Sequence, residues 1–195
     1  MILAPRFVIG HIGRTGGDAI KQIVAALNLP EVSVSSIDDP QKHNQPPMDG
    51  RDLVLSIRRL PARELSLIEF FACRPSKRDI LARRPGESVG ELMLRHLNGE
   101  RMIRRMTRAG TRPVVHLIRS EHLRSDLAAV LGKYYRLNGR RLEAIHATKT
   151  KPRLDYKRRL LQRFTKDEIA RLYERSPIWS ELERRVYGNL LIDVL

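Results

Sequence analysis

Residues 7–20 read FVIGHIGRTGGDAI, a short apolar run that meets a glycine-rich turn and then a helical pattern. Phe7 to Gly10 suits a buried strand. Ile20, Ile23, Val24 and Leu27 recur at the spacing that builds one apolar helix stripe, and Asn28 to Pro30 supplies a stop signal. The stretch therefore predicts strand, loop and helix in that order. Gly16 and Gly17 allow the loop backbone to turn its N–H groups inward, where the helix start adds unpaired donors and a partial positive charge. Arg14 adds a permanent cation, so the loop is a candidate anion cradle. It has neither the Gly-Lys-Ser/Thr of a Walker A loop nor the three spaced glycines of a dinucleotide fingerprint. The competing reading is a tight strand-to-helix turn whose glycines serve geometry alone.

The same rhythm continues outward. Leu53 to Ile57, LVLSI, reads as a second buried strand that runs into Arg58, Arg59 and Arg63, with a helix expected from Pro61 to Cys73. Pro113 to Ile118, PVVHLI, reads as a third, and Ser120 opens a helix bearing Leu123, Leu127, Val130 and Leu131 on one face. Strands alternating with helices predict an α/β fold with a central, mainly parallel sheet flanked by helices. In such a sheet ligands bind at the carboxyl edge, where Arg14 and Arg58 are expected to converge. Glu31 to Ser36 suits a short strand, and Ile37 to Gly50 is a polar, proline-rich loop of functional length that carries His43. Ser88 to Met106 is amphipathic. A further helix starts at Thr165 or Lys166, with Leu172, Trp179, Leu182 and Val186 as packing residues and the arginine-rich faces solvated.

At 195 residues the chain is expected to form one domain over 1–195, long enough to bury roughly 70% of its unfolded surface. Lys and Arg number 37 against 22 Asp and Glu, a formal charge of +15 that favours anionic partners. Nucleic acid, an acidic polysaccharide, an anionic membrane surface and a nucleotide cosubstrate all fit that charge. Aromatics are 5%, and no RNP-like, zinc-finger or basic-zipper pattern is present, which disfavours the common nucleic-acid modules. Cys73 is the single cysteine, so no internal disulfide is expected, and a buried thiol in a reducing compartment is the default. No metal is expected, because no His/Cys cluster has zinc spacing. With no cleavable signal pattern and no apolar run near about 20 residues, the chain reads as cytoplasmic, without a membrane span.

The order of these motifs resembles the P-loop-like sulfotransferases that use the phosphosulfate nucleotide PAPS, especially the carbohydrate and heparan-sulfate 2-O-sulfotransferase branch. Members open with a strand and then His-Ile-Pro-Lys-Thr-Gly-Gly-Thr-Ser-Leu. Here residues 11–20 read HIGRTGGDAI, identical at five of the ten positions. The second family motif is a strand ending in Arg, followed by Asp/Asn-Pro, another Arg and a Ser. Arg58, Arg63 and Ser66 keep that spacing, while the proline is displaced to Pro61 and Arg59 replaces the acidic or amide residue. Arg119-Ser-Glu-His-Leu, with Asp126 further on, is similar to a late Arg-Phe-Glu-Asn-Leu-x-x-Asp segment and is expected to be structural.

This resemblance implies a three-layer P-loop-like fold that moves a sulfuryl group from PAPS to a hydroxyl of a carbohydrate or other small acceptor. Arg14, Thr15, Gly16, Gly17 and Asp18 would hold the 5′-phosphosulfate, and Arg58, Arg63 and Ser66 the 3′-phosphate. Arg14 would also act catalytically, standing for the family lysine at the bridging oxygen. Arginine is a fork-shaped donor where lysine is a compact point charge, so the swap keeps attraction and alters geometry. His43 is the implied base, because relatives carry a histidine on the loop before the second strand and neutral imidazole suits proton abstraction near pH 7. Asp18 and Ala19 replace hydroxyl residues. An Asp18 carboxylate about 4 Å from a phosphate charge would repel it by roughly 4 kcal/mol at an effective dielectric of 20 unless it turns outward, caps the helix or pairs with Arg14. Those two positions support the alternative, a non-catalytic relative that binds nucleic acid or an acidic glycan through its basic surface.

Overall fold

The computed structural model describes residues 1–10, 12–34, 50–73, 82, 84–97, 99–107, 114–139 and 156–195. The loop with His43 and the histidine at position 11 lie outside them, as does the loop expected from Ala144 to Arg153. The chain divides into two compact units, residues 1–57 with 104–152 and residues 58–103 with 153–195.

The first unit holds a five-stranded mixed sheet in the order β3-β1-β2-β4-β5. Its strands are β1 (Ile2–Leu3), β2 (Phe7–Gly10), β3 (Ser33–Val34), β4 (Asp52–Ile57) and β5 (Val114–Arg119). β2, β4 and β5 run parallel, with Ile9 opposite Val54 and Ile57 opposite Arg119. β1 alone is reversed, pairing antiparallel with both β2 and β3. Four of the five strands therefore point one way, as the βα rhythm predicts. The reversed strand was not anticipated. Two residues are too few for a periodic signal, and β1 exists because Ala4 N–H bonds Phe7 O at 3.0 Å and turns the chain back on itself.

One face of the sheet is covered by α1 (Gly17–Leu27) and α5 (Leu123–Gly132). The predicted stripe is the buried one: Ile20, Ile23, Val24 and Leu27 from α1 meet Leu127, Val130 and Leu131 from α5 over Phe7, Ile9, Val54 and Ile118. α1 ends where expected, at Asn28, whose φ of 43° closes the helix in the left-handed region. A short 3₁₀ turn, Ser120–His122, joins β5 to α5. Neighbouring positions fill the opposite face, where Leu53, Leu55 and Ile57 are fully buried. Gly10 belongs there because a Cβ would stand 2.6 Å from Leu55 Cδ2 and 3.2 Å from Met106 Sδ.

The second unit is helical, built from α2 (Leu60–Ala72), α3 (Val89–Arg95), α6 (Tyr156–Leu161), α7 (Lys166–Glu174) and α8 (Pro177–Tyr187). The boundary between units falls within α4 (Gly99–Met106). Pro61 is tolerated because it sits in the first turn of α2, where its missing N–H has no helical partner to lose. Ser88 and Thr165 each close a capping box, with Glu91 and Glu168 respectively. Glu168 also accepts from the Ser88 hydroxyl, so one carboxylate ties the starts of α3 and α7. Its approach requires Gly90, since a Cβ there would meet the Glu168 carboxyl carbon at 2.2 Å.

α8 receives its cap from elsewhere. Its N-cap Ser176 makes no side-chain capping bond, and the Glu100 carboxylate instead accepts from Trp179 N–H at 3.1 Å and Ile178 N–H at 3.4 Å. The amphipathic stretch expected from Ser88 to Met106 is thus two helices, broken around His96. Gly99 begins the second in a space where a Cβ would stand 2.9 Å from Glu64 Oε1 and 3.1 Å from Trp179. Trp179, Leu172 and Leu182 are buried as predicted, and Val186 is half-buried. Cys73 corrects an expectation: it follows the exposed end of α2 and its thiol faces solvent. Among the described residues no helix is long and apolar enough to cross a membrane.

Candidate functional site

β2 delivers the chain to the carboxyl edge of the sheet, and residues 12–16 form the loop before α1. Ile12 is fully buried and anchors the loop by its side chain. Arg14 has a φ of 71° and Gly16 one of 91°. A positive φ costs a non-glycine residue about 1–2 kcal/mol, so the Arg14 backbone stores local strain. Interleaved left-handed residues turn successive N–H groups to one side, the arrangement that makes backbone anion nests.

α1 then presents its open end. Its hydrogen bonding begins with Ile20 N–H to Gly16 O at 3.1 Å, which leaves the N–H groups of Gly17, Asp18 and Ala19 without an intrahelical partner. Gly16 is the N-cap and has no side chain to satisfy them. Asp18 therefore does not cap the helix. It lies in the first turn, exposed, where its charge complements the helix dipole. Arg14 is half-buried at the same end of the loop.

Hydroxyl groups brace this loop from beneath. Thr15 is fully buried, its hydroxyl donating to Ile12 O at 2.8 Å and lying 2.6 Å from Ser56 Oγ. With the Thr15 proton used on Ile12, Ser56 is the donor in that second bond. Ser120 Oγ lies 2.7 Å from Thr15 O and 3.2 Å from Ile57 O, both of which its single proton can serve as a forked donor. Thr15 thus faces the sheet, where its hydroxyl fixes the loop backbone. Ser56 was not singled out from sequence, although a serine inside the apolar run LVLSI was a usable signal, and Ser120 was read only as a helix start within the late segment.

The late segment contributes rigidity. Arg119 grips Asp126 with Nε and Nη2 as well as its backbone N–H, all at 2.8 Å. Burial pushes the Asp126 carboxyl up, but the Arg119 bonds outweigh it and hold the group below the usual carboxylate range. This pair fixes the turn that carries Ser120, in keeping with the structural role expected for it.

The remaining candidates belong to the second unit. Arg58 directly follows β4 and is half-buried, and its carbonyl accepts from Trp179 Nε1 at 3.1 Å. Arg63 is fully enclosed, ion-paired with Glu64, with its guanidinium 5.7 Å from the Trp179 ring centre and Nη2 3.4 Å from Met102 Sδ. Burial drives the Glu64 carboxyl up against the opposing pull of Arg63. Ser66, one turn further along α2, is 6% exposed. Arg59, which the sequence left unassigned, holds Glu183 and Asn189 and stacks on Tyr187 at 4.2 Å. His43 lies outside the described residues. No family model, curated protein or solved structure matches this chain.

Proposed function

We propose that the protein is a PAPS-dependent sulfotransferase whose loop at residues 12–17 receives the 5′-phosphosulfate. The observation that carries this reading is the open end of α1 behind a loop with left-handed residues at Arg14 and Gly16, three N–H groups being left over for an anion. The sequence likeness supplies the choice of anion. In the proposed reaction the acceptor oxygen attacks sulfur, the bond from sulfur to the phosphate oxygen breaks, PAP leaves, and the acceptor proton passes to a base.

Arg14 would offset the charge that gathers on the departing phosphate, and the N–H groups of Gly17 to Ala19 would hold its oxygens without reorganising. Asp18 opposes this, but its exposed position leaves the carboxylate room to point to solvent. The likeness assigns the 3′-phosphate to Arg58 and Ser66. The enclosed Arg63 supports α2 from inside, being already paired with Glu64. His43 is the proposed base, and a His43→Ala protein with unchanged turnover would move that role elsewhere. The three-layer P-loop-like architecture, a sugar or other hydroxyl acceptor, and a cytoplasmic setting belong to the same proposal.

Titration calorimetry with PAP tests it. Wild-type protein is expected to bind, and Arg14→Ala to bind about 10- to 150-fold more weakly, the equivalent of one charge-assisted bond of about 1.5–3 kcal/mol. No heat at up to about millimolar PAP, a range that corresponds to roughly −4 kcal/mol, overturns the reading. Affinity for heparin or DNA that falls steeply with salt and ignores Arg14→Ala would instead establish the polyanion binder.

A further inference from the structure

Away from the loop, four side chains of the first unit form one hydrogen-bonded row. Asp52 begins β4, His116 lies on β5, Lys133 is the C-cap of α5 and Tyr134 follows it. The Tyr134 hydroxyl donates to Asp52 Oδ2, His116 Nε2 lies 2.9 Å from the same hydroxyl, and Lys133 Nζ lies 3.4 Å from His116 Nδ1. A phenol has one proton. Since Tyr134 gives it to Asp52, its oxygen must accept from His116, which fixes the proton of a neutral imidazole on Nε2. Nδ1 is then a lone pair facing the Lys133 ammonium, so the direction of each hydrogen bond in the row is fixed.

We propose that Asp52, Tyr134, His116 and Lys133 form a proton-operated latch that ties the carboxyl end of α5 to the sheet and opens when His116 gains a second proton. The added proton falls on Nδ1, removes the acceptor that Lys133 uses, and sets two cations side by side. The groups around His116 define the balance. Lys133 at the end of α5 opposes the proton, and Arg6, whose guanidinium lies 5.3 Å from the Tyr134 ring centre, acts on that phenol. Asp52 on β4 favours it through Tyr134. Phe7 of β2 packs on Tyr134 at 4.6 Å and closes the apolar side, while Glu31 acts on the neighbouring Tyr135.

Burial first, and Lys133 second, hold the His116 imidazole below its usual range. Burial and the bond to Asp52 hold the Tyr134 phenol above its own, so Tyr134 stays protonated while His116 titrates. A lowered base means that the unfolded chain binds the proton first. The latch's stabilisation is therefore complete above about pH 6.5, the unperturbed imidazole value, and is lost as pH falls below it toward the folded-state midpoint. This device is independent of the proposed nucleotide site, being built from the amino ends of β4 and β5.

NMR titration of the histidine rings, with amide exchange at Lys133, Tyr134 and Tyr135, tests the latch. Those amides bond Val130 O and Leu131 O at 2.9–3.1 Å and report the end of α5 directly. Expected are a His116 midpoint below about 6.5 and protection factors at the three amides that fall about tenfold between pH 7.5 and 5. Lys133→Gln, at an exposed position, should raise the His116 midpoint and flatten the fall. His116→Gln should remove the pH dependence. A His116 midpoint at or above about 6.5, or one unmoved by Lys133→Gln, overturns the proposal, as does protection that is equal at both pH values. Should His116→Gln fail to fold, the wild-type and Lys133→Gln titrations decide alone.

Discussion

Glu183→Ala is expected to remove about 3–5 kcal/mol of stability, read as a lowered midpoint in chemical denaturation. Glu183 is fully buried, and its two oxygens accept from four separate donors. Oε2 takes Leu60 N–H at 2.8 Å, and Oε1 takes the Tyr173 hydroxyl at 2.8 Å, with Arg59 Nη1 and Leu191 N–H at 3.2 Å. These donors come from the start of α2, from α7 and from the segment after α8, so one carboxylate closes three parts of the second unit. Burial pushes the Glu183 carboxyl up despite those bonds, so much of the ion's Coulomb gain is cancelled by its desolvation. The loss on substitution comes mainly from the other side: the Leu60 N–H and the Tyr173 hydroxyl stay buried with their acceptor gone, while Arg59 keeps Asn189 and the Leu191 N–H keeps the Tyr173 oxygen. An apolar replacement of the same size, Glu183→Met, is expected to rescue little, because it supplies no acceptor. A loss under about 1 kcal/mol would mean that water replaces the carboxylate at no great cost and that the network is not what closes the unit.

Glu183 also marks the limit of what the sequence discloses. The βα rhythm was legible because each strand is a compact apolar run and each helix repeats its apolar residues at helical spacing, which are local signals. α1 could be read to its last turn, with its stop signal beginning at Asn28, the residue that closes the helix. A glutamate inside the arginine-rich stretch ELERRVY has no such signal. Arg184 and Arg185 beside it do face solvent, while Glu183 turns inward because Arg59, more than 120 residues earlier, folds against it. Sequence separation likewise hid the role of Glu100 at the start of α8, whereas Glu64 pairs with its own neighbour Arg63 and only its enclosure beside Gly99 has no local signal. The break near His96 was invisible for a related reason, since Gly99 begins a new helix to fit against Glu64 and Trp179. Within the candidate site, the chemistry that the sequence displayed was the glycine pair and Arg14. The hydroxyl brace of Thr15, Ser56 and Ser120 depends on strand order, which no local pattern encodes.

That brace makes the loop's two outer glycines unequal, and Gly16→Ala should both destabilise the first unit by about 2–5 kcal/mol and abolish PAP binding. At φ 91° an alanine pays the left-handed penalty of about 1–2 kcal/mol. Its Cβ would also stand 2.5 Å from Leu123 Cδ1, and Leu123 is 5% exposed within the core shared by α1 and α5. Overpacking of that kind costs about 1–3 kcal/mol. The Leu123 backbone is held, because it begins α5 directly after the turn that Ser120 ties to Thr15, and its side chain can turn away only against the packed neighbours that leave it 5% exposed. The relief that packing does not supply comes from Gly16 moving outward, which rotates the N–H groups of residues 17–19 away from any bound anion. Gly13→Ala is the matched control: nothing lies within 4 Å of the point where its methyl group would stand, so its stability should stay within about 0.5 kcal/mol of wild type and PAP binding should persist. Denaturation and calorimetry on the pair separate two causes that a single variant would confound. If Gly16→Ala unfolds more easily yet binds PAP as wild type does, the glycine serves packing alone and the anion lies elsewhere. If neither variant nor the wild type binds, the nucleotide reading fails while the packing account still stands on the stability difference.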